Sequence, residues 1–213
     1  MWPFFLDLLF PIRSLLGAEG EWVTPDERRQ LRVFPVRLEQ TQLAGEGMPA
    51  IGRLAYADAY GRSPILRKAL RSFKYGHHSA LADDLGALLL RASVLLPAGD
   101  SLPILCPVPL HWTRLFSRGF NQAHLLASVV GRERGWPVRT LLARRRPTGY
   151  QAHRTSAERM HALDDAFVCC TQVPAHVILI DDIATTGATL NACAMVLRAA
   201  GVRTVDALVV ARG

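Results

Sequence analysis

The sequence predicts an α/β fold with a mostly parallel central sheet flanked by helices. Apolar runs of strand length alternate with helix-period segments along most of the chain. One run, Val177-Ile178-Leu179-Ile180, passes straight into Asp181-Asp182, a short loop of small and hydroxylated residues, and a helix-forming stretch from Leu190. Its 213 residues, half of them apolar and a fifth charged, suffice for one ordinary domain with an appendage and a substantial core.

Taken in order, residues 1–50 read as a small N-terminal appendage and 51–213 as the main domain. The appendage opens on the apolar Met1–Pro11, passes a charged segment at Asp26-Glu27-Arg28-Arg29, and ends in the Gly/Pro-bearing Ala44–Pro49. Gly52–Tyr60 reads as a strand with Tyr56 and Tyr60 on one face. Ser63-Pro64 starts a helix, with Pro at its first position and Ile65, Leu66, Ala69, Leu70 and Phe73 at helical spacing, and Gly76 ends it. A second amphipathic helix covers about Ser79–Leu95. Ser101–Val108 is a strand, followed by a loop and a helix from about Asn121 to Arg132. Strands are expected over Pro137–Ala143, Ala166–Cys170 and His176–Ile180. The helix Thr189–Ala200 stops at Gly201, and Val202–Ala211 is the last strand. Strands alternating with helices imply a parallel sheet covered on both faces, with ligands outside the carboxyl ends of its strands.

Composition narrows the function. No apolar run reaches the ~18 to 20 residues a bilayer span needs. Met1–Pro11 lacks a basic first segment and a cleavage site, so a packed helix is expected rather than a signal peptide. Cys106, Cys169, Cys170 and Cys193 contain no Cys-x-x-Cys pair, and the seven histidines show no ligand spacing; no zinc site and no disulfide framework are expected, and a cytoplasmic setting follows. Between Leu110 and Arg159 ten arginines face only Glu133 and Glu158, and this surplus accounts for the formal net charge of +7. Arginine favours bidentate contact with phosphate. The stretch reads as solvated helix faces, a pyrophosphate clamp or a nucleic-acid track.

The segment from Val177 to Thr189 carries the most chemistry. A buried strand that ends in a tight turn and a helix N-terminus collects backbone N–H groups beside the positive end of a helix dipole, which suits a phosphate. Paired carboxylates suit hydroxyls or a metal ion. The plain alternative is a strand-turn-helix whose acids cap the helix. The combination of Asp181-Asp182, Thr185-Thr186-Gly187 and Thr189 resembles the signature of type I phosphoribosyltransferases. With Cys106–His111, Arg118-Gly119-Phe120-Asn121-Gln122-Ala123, the segment Arg144–Gln151 followed by Arg159, and Leu70–Gly76, the chain from about Ile51 to Gly213 resembles the ComF competence family. That family carries an N-terminal zinc ribbon. Here Ser14 and Gly17 stand where a cysteine pair is expected, which implies a member without those ligands, its appendage folded by apolar packing. Ala162 stands where the family pattern after the arginine resembles Arg-x-x-Asn.

The resemblance implies roles. Ala184, Thr185, Thr186, Gly187, Ala188 and Thr189 would cradle the 5′-phosphate of phosphoribosyl pyrophosphate (PRPP). Asp181 and Asp182 would be the catalytic pair, holding the ribose hydroxyls and a Mg²⁺-bound water. Pro109, Leu110, Arg114 and Arg118 would meet the pyrophosphate, though Arg118 equally suits a cap or ion pair. Arg144, Arg145, Arg146, Gln151 and Arg159 would form a flexible lid. Lys74 and Tyr75 face the site or serve structure. Where purine-salvage relatives place an aspartate base, this chain offers Thr185, which takes no proton near neutral pH. The expected ligands are PRPP with Mg²⁺ and no zinc, in a protein of natural competence and DNA uptake. The competing expectation is a module of transformation that binds single-stranded DNA or partners a helicase and other competence proteins, with a vestigial or regulatory PRPP site. Trp112, Phe116, Phe120 and Tyr150, interleaved with the arginines, read as core packing or as a stacking track.

Overall fold

The computed structural model describes residues 13–75, 79–96, 102–145 and 166–213. Its centre is a five-stranded sheet built from β1 (Val36–Glu39), β2 (Arg53–Ala59), β3 (Ile104–Pro107), β6 (His176–Ala184) and β7 (Thr204–Arg212). The spatial order is β1-β2-β7-β6-β3, with every neighbouring pair parallel except β1 against β2. Ile178 sits opposite Asp206 and Asp181 opposite Val209, so the long strands β6 and β7 run in step to the carboxyl edge.

Both faces are covered. On one side α3 (Pro64–Tyr75), α4 (Leu81–Ser93) and α6 (Gln122–Arg134) bury Leu66, Leu70, Phe73, Leu85, Leu89, Leu126 and Val130 against Ile178, Ile180, Leu208 and Val210. Helices α4 and α6 touch closely at Gly86, where a Cβ would lie 2.6 Å from Val129 Cγ1. On the other side α2 (Gln40–Gly45) and α7 (Ala188–Ala199) bury Leu43, Leu190, Ala194 and Leu197 against Val177, Leu179, Ala207 and Val209. The alternation of these strand residues between two cores is the period-2 pattern of a sheet buried on both faces.

Three features differ from the sequence reading. The stretch Pro137–Ala143 gives a bridge at Val138 and, only at its end, the start of a short strand, β4 (Leu142–Arg144). It pairs antiparallel with β5 (Phe167–Cys169) as a separate ribbon rather than joining the main sheet. The loop expected after β3 contains a short helix, α5 (Trp112–Arg118), none of whose residues is buried. Without a buried stripe it leaves no apolar period to read.

Third, the segment read as an appendage is woven into the main unit over its described residues. Strand β1 is the antiparallel edge of the central sheet, and Leu15, Val23 and Leu31 join the core under α3 and α4. Helix α1 (Pro25–Gln30) opens with a capping box: Thr24 Oγ1 accepts the Glu27 N–H at 3.2 Å, and Glu27 Oε2 accepts the Thr24 N–H at 2.7 Å. Glu27 is buried, and its carboxylate also takes the Ser14 hydroxyl at 2.8 Å and the Leu16 N–H. The fold here rests on a buried polar hub as well as on apolar packing. Ser14, one of the positions expected to carry cysteine, donates to that hub.

Candidate functional site

Strand β6 places the acids. It extends through Asp181 and Asp182 to Ala184, so both carboxylates leave the strand at the carboxyl edge of the sheet. Asp182 is buried, whereas Asp181 is half-buried. Asp181 Oδ1 accepts the Asp182 N–H at 2.8 Å. Burial first, and the neighbouring Asp182 charge second, push the Asp181 carboxyl up to about 7, with Lys74 opposing.

The turn after β6 is fixed from two directions. The Ala184 carbonyl accepts the Gly213 N–H at 2.9 Å and Arg212 Nη1 at 3.0 Å, and Arg212 Nη2 reaches Glu46 Oε2 at 2.7 Å. Gly187 caps α7 with φ of 71°, and a Cβ there would strike the side chain of Met48. Only glycine combines that left-handed conformation with that close approach. Thr186 Oγ1 accepts the Ala188 N–H at 3.4 Å.

The opposing wall is the β3–α5 loop. Asn121 caps α6 by accepting the Ala123 N–H at 3.0 Å, and its Nδ2 donates to the Val108 carbonyl at 3.1 Å. One side chain therefore ties the loop at Val108 to the start of α6. His111 caps α5, its Nδ1 lying 2.8 Å from Thr113 Oγ1.

Between these walls lies a pocket of about 180 Å³, lined by Lys74, Val108, Pro109, Leu110, Arg114, Arg118, Asn121, Gln122, Ala123, Arg144, Asp181, Asp182, Ile183 and Thr189. Four cations face two carboxylates. Burial, followed by the nearby Arg114 charge, lowers the pKa of Arg144. Cations crowded enough to repel one another are relieved by a polyanion, and arginine forks match phosphate oxygens.

No family model matches the chain. It is 31% identical over 150 residues to the DNA utilization protein YhgH of Salmonella typhi, covering 68% of this chain and 66% of that protein. It is 35% identical over 111 residues to competence protein F of Haemophilus influenzae, covering 50% of this chain and 48% of the relative. Competence protein ComFC of Bacillus subtilis matches at 37% over 97 residues, 44% of this chain and 38% of its own. The chain belongs to the ComF family. It spans less than two thirds of the length of each of these relatives. A solved structure of the allosteric regulatory enzyme of purine biosynthesis overlaps 66% of this chain and 30% of its own, at 17% identity and a TM-score of 0.43. The architecture of this ComF-family chain is the expected one: α/β, with a mostly parallel central sheet flanked by helices and the acid pair at its carboxyl edge.

The structure gathers part of the expected site. Asp181, Asp182, Thr189, Pro109, Leu110, Arg114, Arg118 and Arg144 line one pocket. Thr185 and Thr186 are exposed on the turn, and with Ala184, Gly187 and Ala188 they stand outside the pocket's lining. Of the expected lid, Arg145 is exposed, and its N–H donates to the Ala166 carbonyl at 2.9 Å. Arg146, Gln151 and Arg159, with Tyr150 and Ala162, lie outside the described residues. Trp112 and Phe116 are 69% and 90% exposed, so neither is a core residue, whereas Phe120 is half-buried with its ring 5.7 Å from Phe73. Lys74, left open between site and structure by the sequence, reaches the acid pair: its Nζ lies 3.0 Å from Asp182 Oδ2. Its neighbour Tyr75 is exposed and lies under the Arg118 guanidinium at 5.3 Å.

No helix among the described residues is long and apolar enough to cross a membrane.

Proposed function

We propose that this pocket binds a phosphoribosyl ligand of the PRPP type, and that the chain, like relatives named for competence and DNA utilization, serves natural transformation. The observation that supports this most is the convergence of Arg114, Arg118, Arg144 and Lys74 on an acid pair at a sheet's carboxyl edge, next to a helix N-terminus at Thr189. A pentose ester bears phosphates at one end and hydroxyls between, and this wall offers cations, carboxylates and a helix terminus in the matching arrangement.

In that reading the half-buried Asp181 accepts from the ribose hydroxyls. The Ala184–Thr189 turn takes the 5′-phosphate, and the Pro109–Arg118 wall with Arg144 takes the pyrophosphate. Mg²⁺ accompanies PRPP as the counter-ion of its pyrophosphate. The setting is the cytoplasm. No carboxylate stands at Thr185 to act as a base, so an acceptor would arrive already nucleophilic, or the pocket senses the ligand without turning it over.

PRPP with Mg²⁺ at about a hundred times its Kd is expected to stabilise the fold by about 2.7 kcal/mol, and Asp181→Asn with Asp182→Asn to abolish the shift. An unchanged Tm at saturating ligand refutes the reading.

A second reading, direct binding of single-stranded DNA, is favoured by the exposed Trp112 and Phe116 on the same short helix as Arg114 and Arg118. Exposed rings beside cations provide stacking and backbone contact. Such binding falls steeply with salt, and salt-insensitive or undetectable binding removes it.

A further inference from the structure

Two adjacent carboxylates in a phosphate pocket are where a divalent cation is normally sought. Here the donor set does not suit one. The Asp182 carboxylate is 94% buried in its side chain, and its Oδ2 is held by Lys74 Nζ at 3.0 Å, while the backbone N–H of Asp182 occupies Asp181 Oδ1 at 2.8 Å. Among the described residues no three His, Cys, Asp or Glu side chains gather into a metal-binding group.

The position of Lys74 is built rather than incidental. It stands in the last turn of α3, where the helix carbonyls favour a cation. The preceding Phe73 is fully buried with its ring against Phe120, and its carbonyl accepts Gln122 Nε2 at 3.3 Å. The following Tyr75 lies under Arg118. Residues on both sides of the lysine are thus anchored, Phe73 to Phe120 and to Gln122 at the start of α6, and Tyr75 to Arg118 of α5, the helix that supplies two of the pocket's arginines. The Lys74 side chain is itself only 24% exposed. A divalent ion on Asp182 would have to displace this ammonium or sit beside it, with Arg144 adding a further like charge on the pocket wall.

We infer that Lys74 is the built-in cation of the acid pair and closes it to divalent metal, so that Mg²⁺ enters this pocket only on the phosphates of a ligand. Exclusion of metal from the free protein stands independently of the ligand assignment. The statement about Mg²⁺ on the ligand rests on the phosphoribosyl reading.

The test is Mn²⁺ binding to the full chain without ligand, followed by electron paramagnetic resonance. The wild type is expected to show no Mn²⁺ site that Asp182→Asn removes. Lys74→Met, which keeps the apolar stem and deletes the charge, is expected to gain such a site with at least about tenfold higher affinity, and Lys74→Arg to exclude Mn²⁺ as the wild type does. A wild-type Mn²⁺ site lost in Asp182→Asn overturns the inference, and this arm requires no folded lysine variant. A folded Lys74→Met that gains no site overturns it as well. Failure of PRPP to shift the Tm sinks the phosphoribosyl reading and leaves these metal outcomes intact.

Discussion

His176 Nε2 lies 2.9 Å from Asp206 Oδ2 at the amino-terminal end of β6 and β7, the opposite edge of the sheet from the pocket. Arg53 at the start of β2 completes the cluster, with Nη2 at 2.8 Å and Nε at 3.2 Å from the two Asp206 oxygens. Asp206 is fully buried. Burial alone would raise its pKa, but the His176 and Arg53 hydrogen bonds outweigh burial and hold it below the ordinary carboxylate value. One side chain thus joins three parallel strands where their backbone ladder begins.

Removing that carboxylate leaves two donors facing a buried void. Asp206→Ala is expected to cost about 3–5 kcal/mol, and Asp206→Asn less. Because the folded pKa is depressed, this stabilisation is present above the unfolded carboxylate value and is lost as pH falls through the folded one. Urea melts of wild type and Asp206→Asn at pH 7 should differ, and should converge in acid once the pH has fallen through the folded carboxylate value. A difference that persists in acid would show that packing, rather than charge, holds the cluster.

Glu27 plays the same part in the N-terminal segment. Its carboxylate takes hydrogen bonds from Thr24, Ser14 and Leu16, which lower its pKa against the opposing effect of burial. Glu27→Ala orphans all three donors and is expected to destabilise the protein by about 2–4 kcal/mol. Ser14→Ala removes only one donor and should cost about 1 kcal/mol. Chemical denaturation measures both. Equal costs for the two variants would contradict a hub centred on Glu27.

At Gly187 the left-handed backbone and the Met48 contact forbid a side chain. Gly187→Ala is expected to lower stability by about 1–3 kcal/mol and to remove any thermal shift given by PRPP, since the turn must move to admit the methyl. Met48→Ala in the same background relieves the clash but not the positive φ, so rescue should be partial. Full rescue would place the whole cost in the collision.

Much of this arrangement is legible in the sequence because it is local. The apolar run of β6 leads directly to its acids, and Thr185-Thr186-Gly187 marks the turn. Pro64 and the helical spacing up to Phe73 delimit α3. Features that depend on distant pairing are not legible. Nothing around Val36–Glu39 says that it closes the sheet edge against β2, and nothing around Leu142–Arg144 says that it pairs with Phe167–Cys169 outside the main sheet. The reach of Lys74 to Asp182 follows from how α3 packs on β6, which no local pattern encodes. The solvent exposure of Trp112 and Phe116 is not legible for a related reason: large aromatic rings are normally buried, and the short, unburied α5 decides between core packing and an exposed face.

Those two rings provide a separable test. Because both are largely exposed, Trp112→Ala with Phe116→Ala is expected to leave stability within about 0.5 kcal/mol of wild type. If single-stranded DNA stacks there, the same pair should weaken binding by about 1–3 kcal/mol per stacked base, measured by fluorescence anisotropy at fixed salt. Unchanged affinity in a stable double variant would remove α5 from any DNA track.

Asp181 makes the pH response of the pocket predictable. Its carboxyl is pushed up to about 7, first by burial and then by Asp182, against the opposing effect of Lys74; Arg144 also lines this wall. The unfolded chain releases that proton near the ordinary aspartate value of 3.8. Between these two values the folded protein binds more protons than the unfolded chain, so the contribution of Asp181 to stability falls as pH rises through the window. Above it, the folded state carries the full cost of an ionised carboxylate beside Asp182. Asp181→Asn keeps an acceptor for the Asp182 N–H and removes that charge. The variant should therefore melt higher than wild type at pH 8, with the gap closing as pH falls toward about 4. Thermal melts across this range decide the matter: a variant no more stable than wild type at pH 8 would mean that Asp181 is already ionised at little cost, with Lys74 and Arg144 neutralising both acids of the pair.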